Sequence, residues 1–207
     1  MLLNGLGKTI LITVLSALFG TILAFLIILF RRTNSVLAGR ISDIYILLMQ
    51  GIPVVVLLMV LYYIIFANSG FPGWVVAVIA FSLNEAAYIS EMMRSGIDAI
   101  DPGQREAALA LGYTENQAFF TYIFPQSLKQ IFPVYRGEMV ALLKGTAIVG
   151  YVAVQDLTRM GDIIRSRTYE AFFPLVITAL IYLIVAMVIA RLIDKIEIKF
   201  NNKNMDK

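Results

Sequence analysis

Glu85, Glu91, Arg94, Glu138 and Lys144 lie inside long apolar stretches of a 207-residue chain. At bilayer depth a charged side chain costs about 2.5–3.5 kcal/mol on insertion scales, so such groups face protein or a water-filled path. Their chemistry is recognition: a carboxylate holds an ammonium, and a lysine or hydroxyl holds a carboxylate. Catalysis has no comparable support. With 0 His and 0 Cys, the chain offers no thiolate nucleophile, no Cys/His zinc site, no haem-ligating imidazole and no Ser-His-Asp triad. Paired aspartates within spans are also missing. Neither a catalytic nor a metal-binding role is expected.

The residues differ in how much they reveal. Glu91 and Arg94 are three apart and share a helix face, which predicts a local ion pair. Glu85 has no such partner. Glu138 and Lys144 are six apart, about 120° around a helix, and do not neutralise each other along one face. Gly137, Ala141 and Gly145 form a small-residue stripe at four-residue spacing; Gly145, Thr146 and Gly150 allow local unwinding. This helix either packs tightly on a neighbour or lines a pathway. Pro53 removes a backbone donor and leaves the Met49 carbonyl without its helical partner. With Gln50 and Gly51 it makes a polar, kinked patch, which is either a plain kink or a cavity lining.

The elements that carry these residues are set by the bilayer. The hydrophobic fraction is 59% and the mean hydropathy +0.81, more than a water-soluble interior of this size can hold. The fold class expected is all-α integral membrane, a single domain over 1–207 with five transmembrane helices. The first covers residues 9–30, which carry no charge and match a hydrocarbon core about 30 Å thick. It lacks the features of a cleavable signal. Residues 44–84 are uncharged and too long for one span; the turn formers Asn68 to Gly73 split them into spans near 44–66 and 74–97, the latter opening on the interfacial Trp74. Spans four and five fall near 131–155 and 172–190.

Basic residues choose the orientation. With the C-terminus cytoplasmic, the inner side receives Arg31, Arg32, Arg40, Arg94, Arg105, Lys129, Arg136, Arg191, Lys195, Lys199, Lys203 and Lys207. The outer side receives only Lys8, Arg159, Arg165 and Arg167. The expected topology is therefore N-terminus outside and C-terminus inside. The net charge of +3 sits beside apolar runs rather than in a solvated stripe, so nucleic acid is not an expected partner.

Between spans three and four, residues 101–117 read as a compact pair of helices. Asp101 is an N-cap, Pro102 fits the first helical position, and Gln104 stands where a capping-box partner belongs. Gly112 ends the helix in the C′ position. Thr114 with Gln117 then starts a second short helix.

Glu106-Ala107-Ala108, Gly112, Ile123 and Pro125 resemble the EAA motif, E-A-A-x3-G-x10-I-x-P, of permease subunits in bacterial ABC importers. The similarity extends to Glu91 through Ile97, to Gln50-Gly51-Ile52-Pro53 and to Leu142 through Thr146, positions typical of the polar amino-acid branch. The resemblance implies a multi-pass permease in the cytoplasmic membrane of a bacterium, moving polar amino acids. It makes Gln104, Glu106, Ala107, Ala108, Gly112 and Pro125 the segment that docks on a separate ATPase. Smooth Ala107, Ala108 and Ala110 would allow close approach. Gln50, Gly51, Pro53, Glu85, Glu138, Lys144 and Thr146 are the candidates for the substrate path. Two departures stand out: Gln50 and Gly145 occupy positions where the family commonly has Arg and Asp.

Gly7-Lys8-Thr9 lacks the upstream glycine of a phosphate loop, so no cofactor is expected on this chain. ATP and Mg2+ belong to two copies of the partner ATPase. Five spans are too few to enclose a path, which calls for a second permease subunit, expected to be identical. An extracytoplasmic amino-acid-binding protein completes the set, with the charged loop 156–170 as its docking surface. The alternatives are an ABC permease for a different small solute, or a transporter subunit not coupled to ATP.

Overall fold

The computed structural model describes residues 1–33 and 35–205; Lys207, counted among the tail cations, lies outside them. The chain is helical throughout this range. It opens with α1 (Leu2–Arg31), which starts a full two turns before the expected Thr9. A tight turn, with Ser35 accepting a hydrogen bond from the Ala38 amide, begins α2 (Val36–Gly51). The expected kink at Pro53 is a complete break: α2 ends, Ile52 and Pro53 are extended, and α3 (Val54–Val60) departs at 101°. A π-turn over Leu61–Ile65 finishes this span. The hairpin at Asn68–Gly73, with Gly70 at φ +70°, leads into α4 (Gly73–Asp98).

Helix α4 is the centre of the molecule. In its most apolar stretch 67% of residues are buried, against 28% for α1 and 11% for α9. Its small residues make this possible: Ala77, Ala80, Ser82, Ala86, Ala87 and Ser90 are all buried, so neighbouring helices approach closely. The tightest approach is by α1, where Gly20 lies over Glu85; a Cβ there would stand 2.8 Å from Glu85 Cβ. By contrast α9 (Phe172–Met205) exposes Leu180, Leu183, Ile184, Met187 and Val188. Only lipid or another apolar protein surface suits such a face. At about 1.5 Å per residue its 34 residues exceed a hydrocarbon core, so the helix runs past Ala190, where the span was expected to stop.

Two segments differ from the sequence reading. The helix begun at Thr114 is not a separate short one. Helix α6 (Glu115–Ala118) runs through a π-turn over Phe119–Ile123 straight into α7 (Phe124–Gly145). Pro125 accounts for the π-turn: it cannot donate, and just before it the Phe124 amide shifts to the Phe119 carbonyl, five residues back. The span then tightens into a 3-10 helix over Thr146–Val152. The loop expected at 156–170 is instead α8 (Leu157–Thr168). Asp156 is buried and caps it, accepting from the Thr158 and Arg159 amides at 3.0 Å each. The Leu157 amide donates to Thr9 Oγ1 at 3.1 Å, which docks α8 onto α1. Among the described residues three helices are long and apolar enough to span a bilayer, and up to five spans result when each of two bent pairs counts as one.

Candidate functional site

The knob between spans three and four is built by its caps. Helix α5 (Pro102–Ala110) begins at Asp101, whose carboxylate accepts from the Gly103 amide at 2.8 Å. It ends with Gly112 at φ +88°, where the Tyr113 amide reaches Ala108 O at 3.2 Å and the Gly112 amide reaches Leu109 O at 2.9 Å. This pair of bonds is a Schellman closure, and the positive φ is why a glycine stands there. Thr114 and Gln117 form a reciprocal capping box at the start of α6. An Arg105–Glu115 ion pair ties the two helices together, and that hydrogen-bonded carboxylate holds the exposed guanidinium above its ordinary pKa.

The expected residues divide between two faces. Glu106, Ala107 and Ala110 are exposed, as are Leu111 at 74% and Tyr113 at 36%. Ala108 is buried at 3% exposure, so it packs on its own chain rather than offering itself to a partner. Gln104 makes no capping box with Asp101; its Oε1 accepts from Gln126 Nε2 at 3.3 Å and ties α5 to the start of span four. The exposed Leu111 is the feature the sequence reading passed over. A leucine at a solvated tip was its signal.

The polar residues of the spans also separate. Glu91 and Arg94 form the expected ion pair, and Arg94 extends it to Asp98 at 3.0 Å. Glu85 is buried, and its Oε2 and the nearby Ser82 Oγ meet no hydrogen-bond partner among the described residues. Thr21 and Tyr135 hydroxyls bond at 2.8 Å across α1 and α7. Both Tyr135 and the half-buried Glu138 lie within electrostatic reach of Glu85. The result is a polar cluster inside one protomer, of which sequence patterns singled out only the two carboxylates.

Lys144 and Thr146 do not join that cluster. Lys144 is exposed and lines a cleft of about 330 Å³ with Ala147, Thr158, Thr178 and Tyr182. Thr146 is fully buried and donates to Leu143 O at 2.7 Å, which ties its hydroxyl to its own helix. Gln50, Gly51 and Pro53 are exposed at the break in the second span, and Gly137 and Ala141 are exposed on α7. A bare glycine, a free amide and unwound backbone in an apolar span belong against another protein surface or a water-filled path.

Membrane-length helices that hold polar groups at depth and carry a capped knob between two of them define a membrane transport subunit as the class. Residues 16–200 match the family described as binding-protein-dependent transport system inner membrane component, and the chain belongs to that family. It is 35% identical over 206 residues to the arginine transport system permease protein ArtQ of Bacillus subtilis, covering 98% of this chain and 94% of the relative. The solved structure described as an amino acid ABC transporter with histidines matches at TM-score 0.86 and 34% identity, over 96% of this chain and 93% of that one. The inward-facing MetNI methionine ABC transporter matches at TM-score 0.80 and 20% identity, covering 97% and 96%, a likeness of fold alone. The chain is thus a permease component of a binding-protein-dependent transport system, a multi-pass protein of the inner membrane. Its family implies an ATPase and a binding protein as partners.

Proposed function

We propose that two identical copies of this chain form the pathway of a polar amino-acid importer. Each is a single domain with the bilayer around residues 9–30, 44–66, 74–97, 131–155 and 172–190. The N-terminus lies outside and the C-terminus inside. The observation that carries this reading is the pairing of a rigid knob at 101–117 with carboxylates buried in the spans above it. In this reading two ATPase copies, holding ATP and Mg2+, grip the knobs through Glu106, Ala107 and Leu111. Gly112 fixes the angle of the knob, and Gln104, Ala108 and Pro125 fix it to its own chain. The binding protein docks on the outer ends of α8 and its neighbours, where Arg165, Arg167 and Tyr169 are exposed.

Cargo enters between the copies past Gln50, Gly51 and Pro53. Glu138 suits the ammonium of an amino acid, with the buried Glu85 behind it, and Lys144 of either copy suits a carboxylate. Thr146 takes no direct part, because its hydroxyl is already bonded. Deep carboxylates favour an amino acid over an inorganic anion as cargo. The relatives' arginine and histidine fit that preference. The test is co-expression with its ATPase and binding protein, reconstitution, and uptake of a panel of labelled amino acids. ATP-dependent uptake of one or more polar amino acids is expected; transport of inorganic anions in their place would refute the cargo assignment.

A further inference from the structure

The break in the second span leaves a particular atom to be accounted for. Helix α2 still bonds normally at Ile52, whose amide reaches Leu48 O at 3.2 Å. The next carbonyl, Met49 O, should receive the amide of residue 53, and Pro53 has none. Beyond it the Val56 and Leu57 amides turn to Pro53 O at 2.8 and 3.1 Å and start α3. Met49 is half-buried, whereas Gln50 and Gly51 are exposed. Of the carbonyls at this helix end, Met49 O is the one that must find its partner inside the protein.

Its partner is Asn84. The Asn84 side chain, only 8% exposed, donates from Nδ2 to Met49 O at 2.7 Å. One residue earlier on α4, Leu83 O accepts from Tyr45 OH at 2.6 Å, so α2 is tied to the central helix at two successive turns. One turn of α4 thus carries Asn84 toward the break and Glu85 toward α1. We infer that Asn84 is a positioning residue, replacing the amide that Pro53 lacks and holding the broken span in its 101° shape. Gln50 and Gly51 are thereby kept exposed at the break. An alanine at 84 leaves a buried acceptor unbonded; an amide at 53 would satisfy Met49 O by continuing the helix and closing the break.

The inference rests on the importer reading above, and the two can fail separately. The intact complex is reconstituted with Asn84→Ala, Pro53→Ala and the double substitution, and both melting temperature and uptake are measured. Asn84→Ala should lower the melting temperature and cut uptake about tenfold or more. Adding Pro53→Ala should restore the melting temperature but not uptake, a split that a purely structural role does not produce. Uptake at the unsubstituted level in Asn84→Ala, or recovery of uptake in the double variant, overturns the inference. Should Asn84→Ala not assemble, Asn84→Leu decides, since it keeps the volume and removes only the donor to Met49 O: lost uptake supports the inference, and normal uptake overturns it. If the unsubstituted complex carries no amino acid, the importer reading fails, and the melting temperatures still decide whether Asn84 substitutes for the missing amide.

Discussion

Gly20 and Glu85 meet where α1 crosses α4, and the contact sets what either position tolerates. A Cβ on residue 20 would also stand 3.3 Å from Ser82 O, a backbone atom that cannot rotate away. Gly20→Val should therefore cost about 1–3 kcal/mol through overpacking, read as a lower melting temperature of the purified complex. Glu85→Gln keeps the volume and removes the charge. If the buried carboxylate serves the cargo's ammonium, uptake falls while the melting temperature holds or rises, because an unpaired charge has left the interior. Glu138→Gln should weaken uptake in the same direction, and unchanged uptake across several substrates would remove that residue from the path. Sequence reasoning found both carboxylates because lone charges in apolar runs are conspicuous. The burial of Thr146 was not legible, because helical periodicity gives an angle around the axis but not the neighbour that fills it.

The knob was the most legible element, since its signals are local. Asp101, Gly112, Thr114 and Gln117 each act on backbone within four residues, and each sits in the structure at the cap expected of it. Thr114→Ala should cost about 1 kcal/mol from the lost cap, seen by thermal melting. Gly112→Trp forces a bulky side chain into a left-handed backbone, about 1–2 kcal/mol of strain, and tilts the tip. ATP hydrolysis should continue while uptake is lost; uptake at normal rates in reconstituted vesicles would contradict a coupling role. Less legible were features that depend on remote packing. The 101° break needed the Asn84 side chain, 35 residues away. Helix α8 was hidden because its charges suggested a loop, although Leu157, Met160 and Gly161 are its buried face and Asp156 is a good N-cap. These three at helical spacing were the overlooked signal.

At the scale of the whole molecule, one protomer leaves unfinished business on its surface. Over residues 172–190 helix α9 carries no charge, which suits lipid. The exposed Gln50, Gly51, Gly137, Ala141 and Lys144 do not suit lipid, and under the proposal of two copies they are covered by protein or water. Composition alone made the bilayer legible, and basic residues supplied an orientation, because both are sums over many positions. Which face meets lipid and which meets the partner depends on surfaces outside one chain, so no pattern within it could show them.

The chain contains no cysteine, so a Leu111→Cys variant reports from a single defined place at the tip of the knob. In the intact complex, purified and reconstituted with its ATPase, a bifunctional thiol reagent should join this residue to the ATPase subunit. A membrane-impermeant maleimide added to whole cells should leave it unlabelled until the membrane is opened. Labelling from outside in intact cells, with no cross-link to the ATPase, would contradict the account.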